Sequence, residues 1–192
     1  MSQNCAELSS EEYILRVAAE FGLTDFAKKI LYDGRFMEWS GSGSPDKHHY
    51  GRGGLLQHTY EVIKLAMGMC DSYDKFIDKR LVFIGALMHD VGKIRCYKCT
   101  SKETDSWEGT LHKSRVYHVV ESALIWQQIA DATLIPHLTE EDYDHITHII
   151  LAHHGCKEWG SPVRPQTKEA WIVHLADSAS ARLNDNLKSQ NL

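Results

Sequence analysis

The sequence predicts an all-α fold, and two observations carry that prediction. Apolar residues recur at helical spacing in most of the long segments, and helix-entry signals such as Ser9 with Glu12, "TEED" and "TKEA" stand at the starts of several of them. A chain of 192 residues with 43% hydrophobic content can bury one core. One domain over residues 1–192 is therefore expected, with N-terminal helices and a loop over 1–53 and a helical core over 54–185.

In chain order, Ser9 and Glu12 form a capping-box pattern ahead of a helix whose apolar face holds Tyr13, Ile14, Val17 and Phe21, and Gly22 ends it. "TDFAKKILYD" reads as a shorter helix. Residues 33–54, rich in Gly, Ser and His, read as a long loop of the kind that forms a functional edge or lid. Residues 55–69 carry Leu55, His58, Val62, Leu65 and Met69 on one helical stripe, and 76–89 read as a further helix. Residues 93–110 are irregular, with room for a short hairpin. Helices are then expected near 112–130, 139–153 and 168–185.

Composition narrows the function classes. A formal charge of −5 argues against a surface that grips polyanions over its whole extent, while leaving room for a local basic groove. The longest apolar runs, such as "LVFIGALM", fall well short of a membrane span, and "MSQNCAELSSEE" lacks a signal-peptide core, so a soluble cytoplasmic protein with no membrane partner is expected. Five cysteines, an odd number in a chain of this size, speak against a disulfide framework.

Twelve histidines are the conspicuous feature, and their positions matter more than their number. The stretch "ALMHDVGKI" puts His89 and Asp90 at the inner end of an apolar helix. Burying an unpaired aspartate there costs several kcal/mol, on the order of what an isolated charge loses on leaving water. A divalent metal resolves that cost by taking the carboxylate and neutral imidazoles as ligands. The plainer alternative is a neutral His89 satisfied by a backbone carbonyl, with Asp90 capping the next turn. Other candidates stand along the chain: His58 in "GGLLQHTYEV", His118 in "YHVVES", His153 and His154 in "LAHHG", and Asp177 in "HLADSASARL".

That order of residues, from about Gly53 to Leu183, resembles the HD-domain metal-dependent phosphohydrolases: a histidine, then His-Asp, then further histidines, then a distant aspartate. Within that superfamily, "GGLLQHT", "HDVGKI", "LAHHG", "EWGSPVRPQTKEA" and "HLADS" are most similar to the HD domain of bacterial 3'-to-5' exoribonucleases of the YhaM type. Those enzymes carry a nucleic-acid-binding OB domain before the HD domain, whereas the residues before Gly53 here read as helices and a loop. The resemblance implies a compact helical bundle with a metal site in its core. It also implies a first ion held by His58, His89, Asp90 and Asp177, and a second held by His118, His153 and His154, with Asp90 bridging. One or two divalent transition-metal ions are expected, Mn, Fe, Zn, Co or Ni, since the ligand types do not choose among them.

The implied reaction is phosphoester hydrolysis by metal-activated water, on a nucleotide or a single-stranded nucleic acid cleaved in the 3'-to-5' manner. Asp90, Lys93 and His154 are its catalytic candidates, Lys93 as a charge facing a phosphate oxygen and His154 as ligand or proton donor. Alternatives are a small-nucleotide phosphatase, triphosphohydrolase or cyclic-nucleotide phosphodiesterase, a non-enzymatic nucleotide sensor, or a di-iron oxygenase of the same superfamily. At His118 the preceding Tyr117 stands where the related enzymes often have glycine.

Weaker signals remain. His174, three residues before Asp177, shares its helix face and suits a supporting or core role, while His145 and His148 suit solvated or core positions. Cys96 and Cys99 in "CYKC" read as ordinary reduced thiols. Between Lys93 and Arg115 six basic residues face three acids, an excess that either lines a phosphate route or is solvated. Trp39 and Tyr50 could stack on a base or tuck onto the core, and Arg52 is a candidate phosphate contact.

Overall fold

The computed structural model describes residues 8–33, 35–73, 76–130 and 135–184. The start of the chain and residue 185, the far end of the last expected helix, lie outside them. Helix α1 (Ser10–Glu20) opens on the capping box read from the sequence: Ser9 Oγ accepts from Glu12 N at 3.2 Å, and Ser9 N donates to the Glu12 carboxylate at 2.8 Å. Helix α2 (Thr24–Leu31) follows directly, and Phe26, Ile30 and Leu31 join Ile14 and Val17 in the core.

Helix α3 (Gly54–Ser72) is the long central helix. It packs against α1, α4 (Lys79–Met88) and α9 (Lys168–Asn184). Asp78 caps α4 by accepting from Arg80 N and Leu81 N, so α4 begins three residues later than the apolar run at Phe76 suggested. The residues of α4 from Leu81 to Met88 are all buried, because α3, α8 (Glu140–Ala152) and α9 surround the helix. A second capping box, Thr139 with Asp142, starts α8.

The irregular stretch resolves into a short helix α5 (Lys93–Cys96) and a hairpin of β1 (Tyr97–Ser101) with β2 (Ser106–Gly109). The strands are antiparallel, pairing Tyr97 with Gly109 and Cys99 with Trp107. The loop at 40–52 is pinned to this hairpin: Tyr50 Oη accepts from Trp107 N at 2.8 Å, and Asp105 accepts from Arg52 N at 2.7 Å. Trp39 packs edge-on against Trp107, so Trp39 and Tyr50 both serve the loop's attachment.

The single helix expected over 112–130 is two helices, α6 (Leu111–Arg115) and α7 (His118–Ala130). The break falls at Tyr117, whose φ of +71° lies in the left-handed region, where a Cβ is strained. Helical periodicity continues through the junction, which is why the pattern did not reveal the break. Gly92 is required for a different reason. Any Cβ there would overlap the His118 carbonyl oxygen, and Gly92 N donates to Ser122 Oγ at 2.9 Å, so α5 crosses the start of α7 at backbone distance. Gly92→Ala is expected to destabilise the protein by about 1–3 kcal/mol, read as a lower urea midpoint at unchanged slope.

Candidate metal centre

The ends of the central helices deliver the seven candidate residues to one place. His58 projects from the first turns of α3, His89 and Asp90 follow the last turn of α4, and His118 opens α7. His153 and His154 follow the end of α8, and Asp177 lies midway along α9. His58, His89 and His153 are completely buried, and Asp90, His118 and Asp177 nearly so.

Asp90 lies at the centre. Its Oδ2 is 3.2 Å from His58 Nε2 and 3.3 Å from His89 Nε2, while its Oδ1 is 3.3 Å from His118 Nε2 and 3.8 Å from His153 Nε2. Asp177 Oδ1 stands 3.1 Å from His58 Nε2 on the first side. The side chains therefore form two groups, His58–His89–Asp177 and His118–His153–His154, whose donor atoms lie within 4.8 Å of one another in each group. One oxygen of Asp90 is turned toward each.

The hydrogen bonds at the far ring nitrogens fix what the near ones can do. A carbonyl only accepts, so Nδ1 carries the proton in His89 (2.7 Å to Ala86 O), His153 (2.6 Å to Ile150 O) and His154 (2.7 Å to Trp159 O). His58 Nδ1 faces Ser180 Oγ at 3.0 Å, and that hydroxyl gives its own proton to Glu61 at 2.8 Å, so here too Nδ1 donates. In the neutral imidazoles each Nε2 is then a bare lone pair. One pair of these points at each other, His58 against His89 at 3.2 Å; His118 and His154 bring their Nε2 atoms to 3.3 Å, and His118 Nδ1 is buried without a hydrogen-bond partner. Two facing acceptors need a cation between them, a proton or a metal ion.

Further unmet groups agree. Asp90 Oδ1 and His153 Nε2 are buried without a hydrogen-bond partner. Burial holds His153 down to about 3 and drives His118 well below its usual range, so both favour the neutral, ligating form. Burial opposes charge on His58 as well, but the Asp177 and Asp90 carboxylates outweigh it and raise its pKa. For Asp90 itself, burial is overcome by Lys93 and the neighbouring imidazoles, which hold the carboxyl well below its usual range. Nitrogen and carboxylate donors in this number suit divalent transition ions.

A profile of the HD domain matches residues 55–182. The chain belongs to the HD-domain family. Its curated relatives include the 3'-5' exoribonuclease YhaM of Bacillus licheniformis, 33% identical over 137 residues, which are 71% of this chain and 41% of that protein. The YhaM of Bacillus subtilis is 29% identical over 153 residues, 80% of this chain and 46% of that protein. This HD-domain chain thus spans less than half the length of these relatives. No solved structure matches it. Among the described residues no helix is long and apolar enough to cross a membrane.

Around the HD-domain centre, Lys93 is buried with Nζ 2.6 Å from Asp90 Oδ2. Burial disfavours its charge, but Asp90 more than restores it, and its pKa is raised. A cleft of about 480 Å³ opens over the centre; its lining includes Lys93, Lys113, Tyr97, Tyr117, His118 and His154. Of the six basic residues between 93 and 115, Arg95 pairs with Glu121 and Lys98 with Glu108, whereas Lys93 and Lys113 reach the cleft. Arg52 instead sets its guanidinium 3.6 Å from Glu38, and it does not line the cleft. Cys96 is buried, its thiol pushed up to about 11 by that burial, and it and Cys99 are both unbridged. His174 hydrogen-bonds the His153 carbonyl through Nδ1 at 2.7 Å, bracing the end of α8. His145 meets Thr167 and Glu169, and His148 accepts from Gln166 N, both away from the centre.

Sequence reasoning missed His48 and His49. The pinned loop lays both rings within about 5 Å of the His58 ring, and the three offer a further grouping of possible donors. Their polar, glycine-rich context hid them, and only the adjacent "HH" spelling could have drawn notice. Glu61 and Ser180 were missed too; each is a helical turn from a named ligand, at spacings of three residues from His58 and from Asp177.

Two outcomes are expected. Asp90→Ala should abolish bound metal by elemental analysis, since it takes one oxygen from each group. Ser180→Ala should weaken metal affinity by about 10- to 100-fold, because His58 loses its orienting partner; competition against a chromogenic chelator measures it.

Proposed function

We propose that this chain is a metal-dependent phosphohydrolase that cleaves phosphoester bonds of a nucleic acid from an end, in the manner named for its YhaM relatives. The observation that carries the reading is the buried Asp90 carboxylate with one oxygen turned to each of two groups of imidazole Nε2 atoms. His58, His89, Asp90 and Asp177 would hold one ion, and His118, His153 and His154 the other, with Asp90 shared. Ions bound there supply Lewis acidity toward a phosphoryl oxygen and lower the pKa of water.

The chain's own residues supply the rest. Backbone carbonyls at Ala86, Ile150 and Trp159 hold three imidazoles in the Nε2-ligating tautomer, so no reorganisation is needed when substrate arrives. Lys93, already charged and held by Asp90, presents the remaining Nζ–H bonds at the cleft floor, where a phosphate oxygen would sit. His154 serves as a ligand in this scheme, its Nδ1 committed to the Trp159 carbonyl. Tyr117 stays a phenol, its pKa pushed up to about 12 by burial, and offers a neutral donor on the cleft wall. The cleft volume is suited to about one nucleotide unit at a time.

Manganese- or iron-loaded protein is expected to release nucleoside monophosphates from a single-stranded oligoribonucleotide panel, and Asp90→Asn to release none. Lys93→Ala should lower kcat by about 100-fold, the scale for losing one preorganised charge donor. Release from mononucleotides alone would replace the nuclease reading with a nucleotidase, and iron-dependent oxygen uptake without phosphate chemistry would replace both.

A further inference from the structure

The cleft does not end at the metal centre. Trp159, at its edge, exposes 58% of its surface, and Trp171 on α9 exposes 48%. His174 joins the two indoles: Trp159 stacks on it at 6.3 Å with the planes 29° apart, and Trp171 meets it edge-on at 5.7 Å. At the inner end, the ring of Tyr117 lies against Gly160, next to Trp159, and 4.3 Å from the ring of His118.

Helix α9 gives these rings a direction. Trp171, Leu175, Ser178 and Arg182 follow at steps of four, three and four, so they share one face. Ser178 and Arg182 line the cleft, while Trp171 and Leu175 continue the same face outward in solvent. From Ser178 to Trp171 is about 10 Å along the axis at 1.5 Å per residue. An aromatic strip thus leads from the cleft onto the surface, and Lys47, Lys113 and Arg182 are among the residues lining the cleft.

We infer that Trp159 and Trp171, spaced by His174, are a stacking track for the single-stranded nucleic acid that extends beyond the residue being cleaved. The inference rests on the nucleic-acid reading above and adds the path by which the strand reaches the centre. Every base has a π-face, so indoles hold a strand without regard to sequence, and the cations lining the cleft would attract its phosphates. The continuity of this face with the cleft over the metal centre favours the strand over a protein segment as its occupant.

The test uses the metal-loaded full chain and fluorescence anisotropy of end-labelled 2'-O-methyl phosphorothioate uridine oligonucleotides, whose backbone resists cleavage. Wild type should bind a hexanucleotide more tightly than a dinucleotide. Trp171→Ala should weaken hexanucleotide binding by about tenfold and remove most of that length dependence, with Trp171→Phe restoring it. Equal weakening for both lengths, or none for either, would overturn the track. Self-association by sedimentation that Trp171→Ala abolishes would also overturn it, by giving the face to a second copy of the chain. Hydrolysis by metal-loaded wild type is scored separately: its absence would defeat the proposed function, while the length dependence would still decide the track.

Discussion

The interaction on which the rest depends is the burial of one carboxylate, Asp90, among imidazoles that turn their Nε2 atoms to it. A lone carboxylate in such a place would be neutralised or expelled. Here Lys93 sits 2.6 Å from it, and His58, His89, His118 and His153 surround it, all supplied by the ends or first turns of helices. The helices converge because their apolar faces pack, but where they stop is set by this polar knot. His89 and His153 each follow the last turn of a helix and return Nδ1–H to a carbonyl of that turn, which satisfies a helix C-terminus and aims Nε2 inward at once.

Much of this was legible in the sequence. The helical periodicity gave the principal helices, the Ser9–Glu12 pattern fixed the start of the first, and the seven ligand candidates do meet in one place. Two kinds of information were not legible. Tyr117 breaks a helix that periodicity runs straight through, since a left-handed residue leaves no mark on hydrophobic spacing. His48, His49, Ser180 and Glu61 take their positions from tertiary contacts between the 40–52 loop, α3 and α9, and polar residues in a loop or on a helix flank carry no sign of what they will face.

The hydrogen-bond chain Glu61–Ser180–His58 shows how the surface reaches the centre. Glu61 is partly exposed; it also receives Asn184 and lies 3.1 Å from His49, so the pinned loop, α3 and α9 share one carboxylate. Arg52, a candidate phosphate contact from the sequence, sets its guanidinium 3.6 Å from Glu38 and gives its backbone N–H to Asp105. The loop's anchorage and the orientation of His58 thereby share one hydrogen-bond network.

The seven candidate ligands come from five helices that are far apart in sequence. Ions seated among them would join those helices more tightly than packing alone, and the free energy of ligation would add to that of folding. For a cell, the amount of intact protein would then follow the supply of metal. Under starvation for the ion the chain would open more often, meet proteases more often and fall in abundance, so that its activity is set by turnover as well as by occupancy.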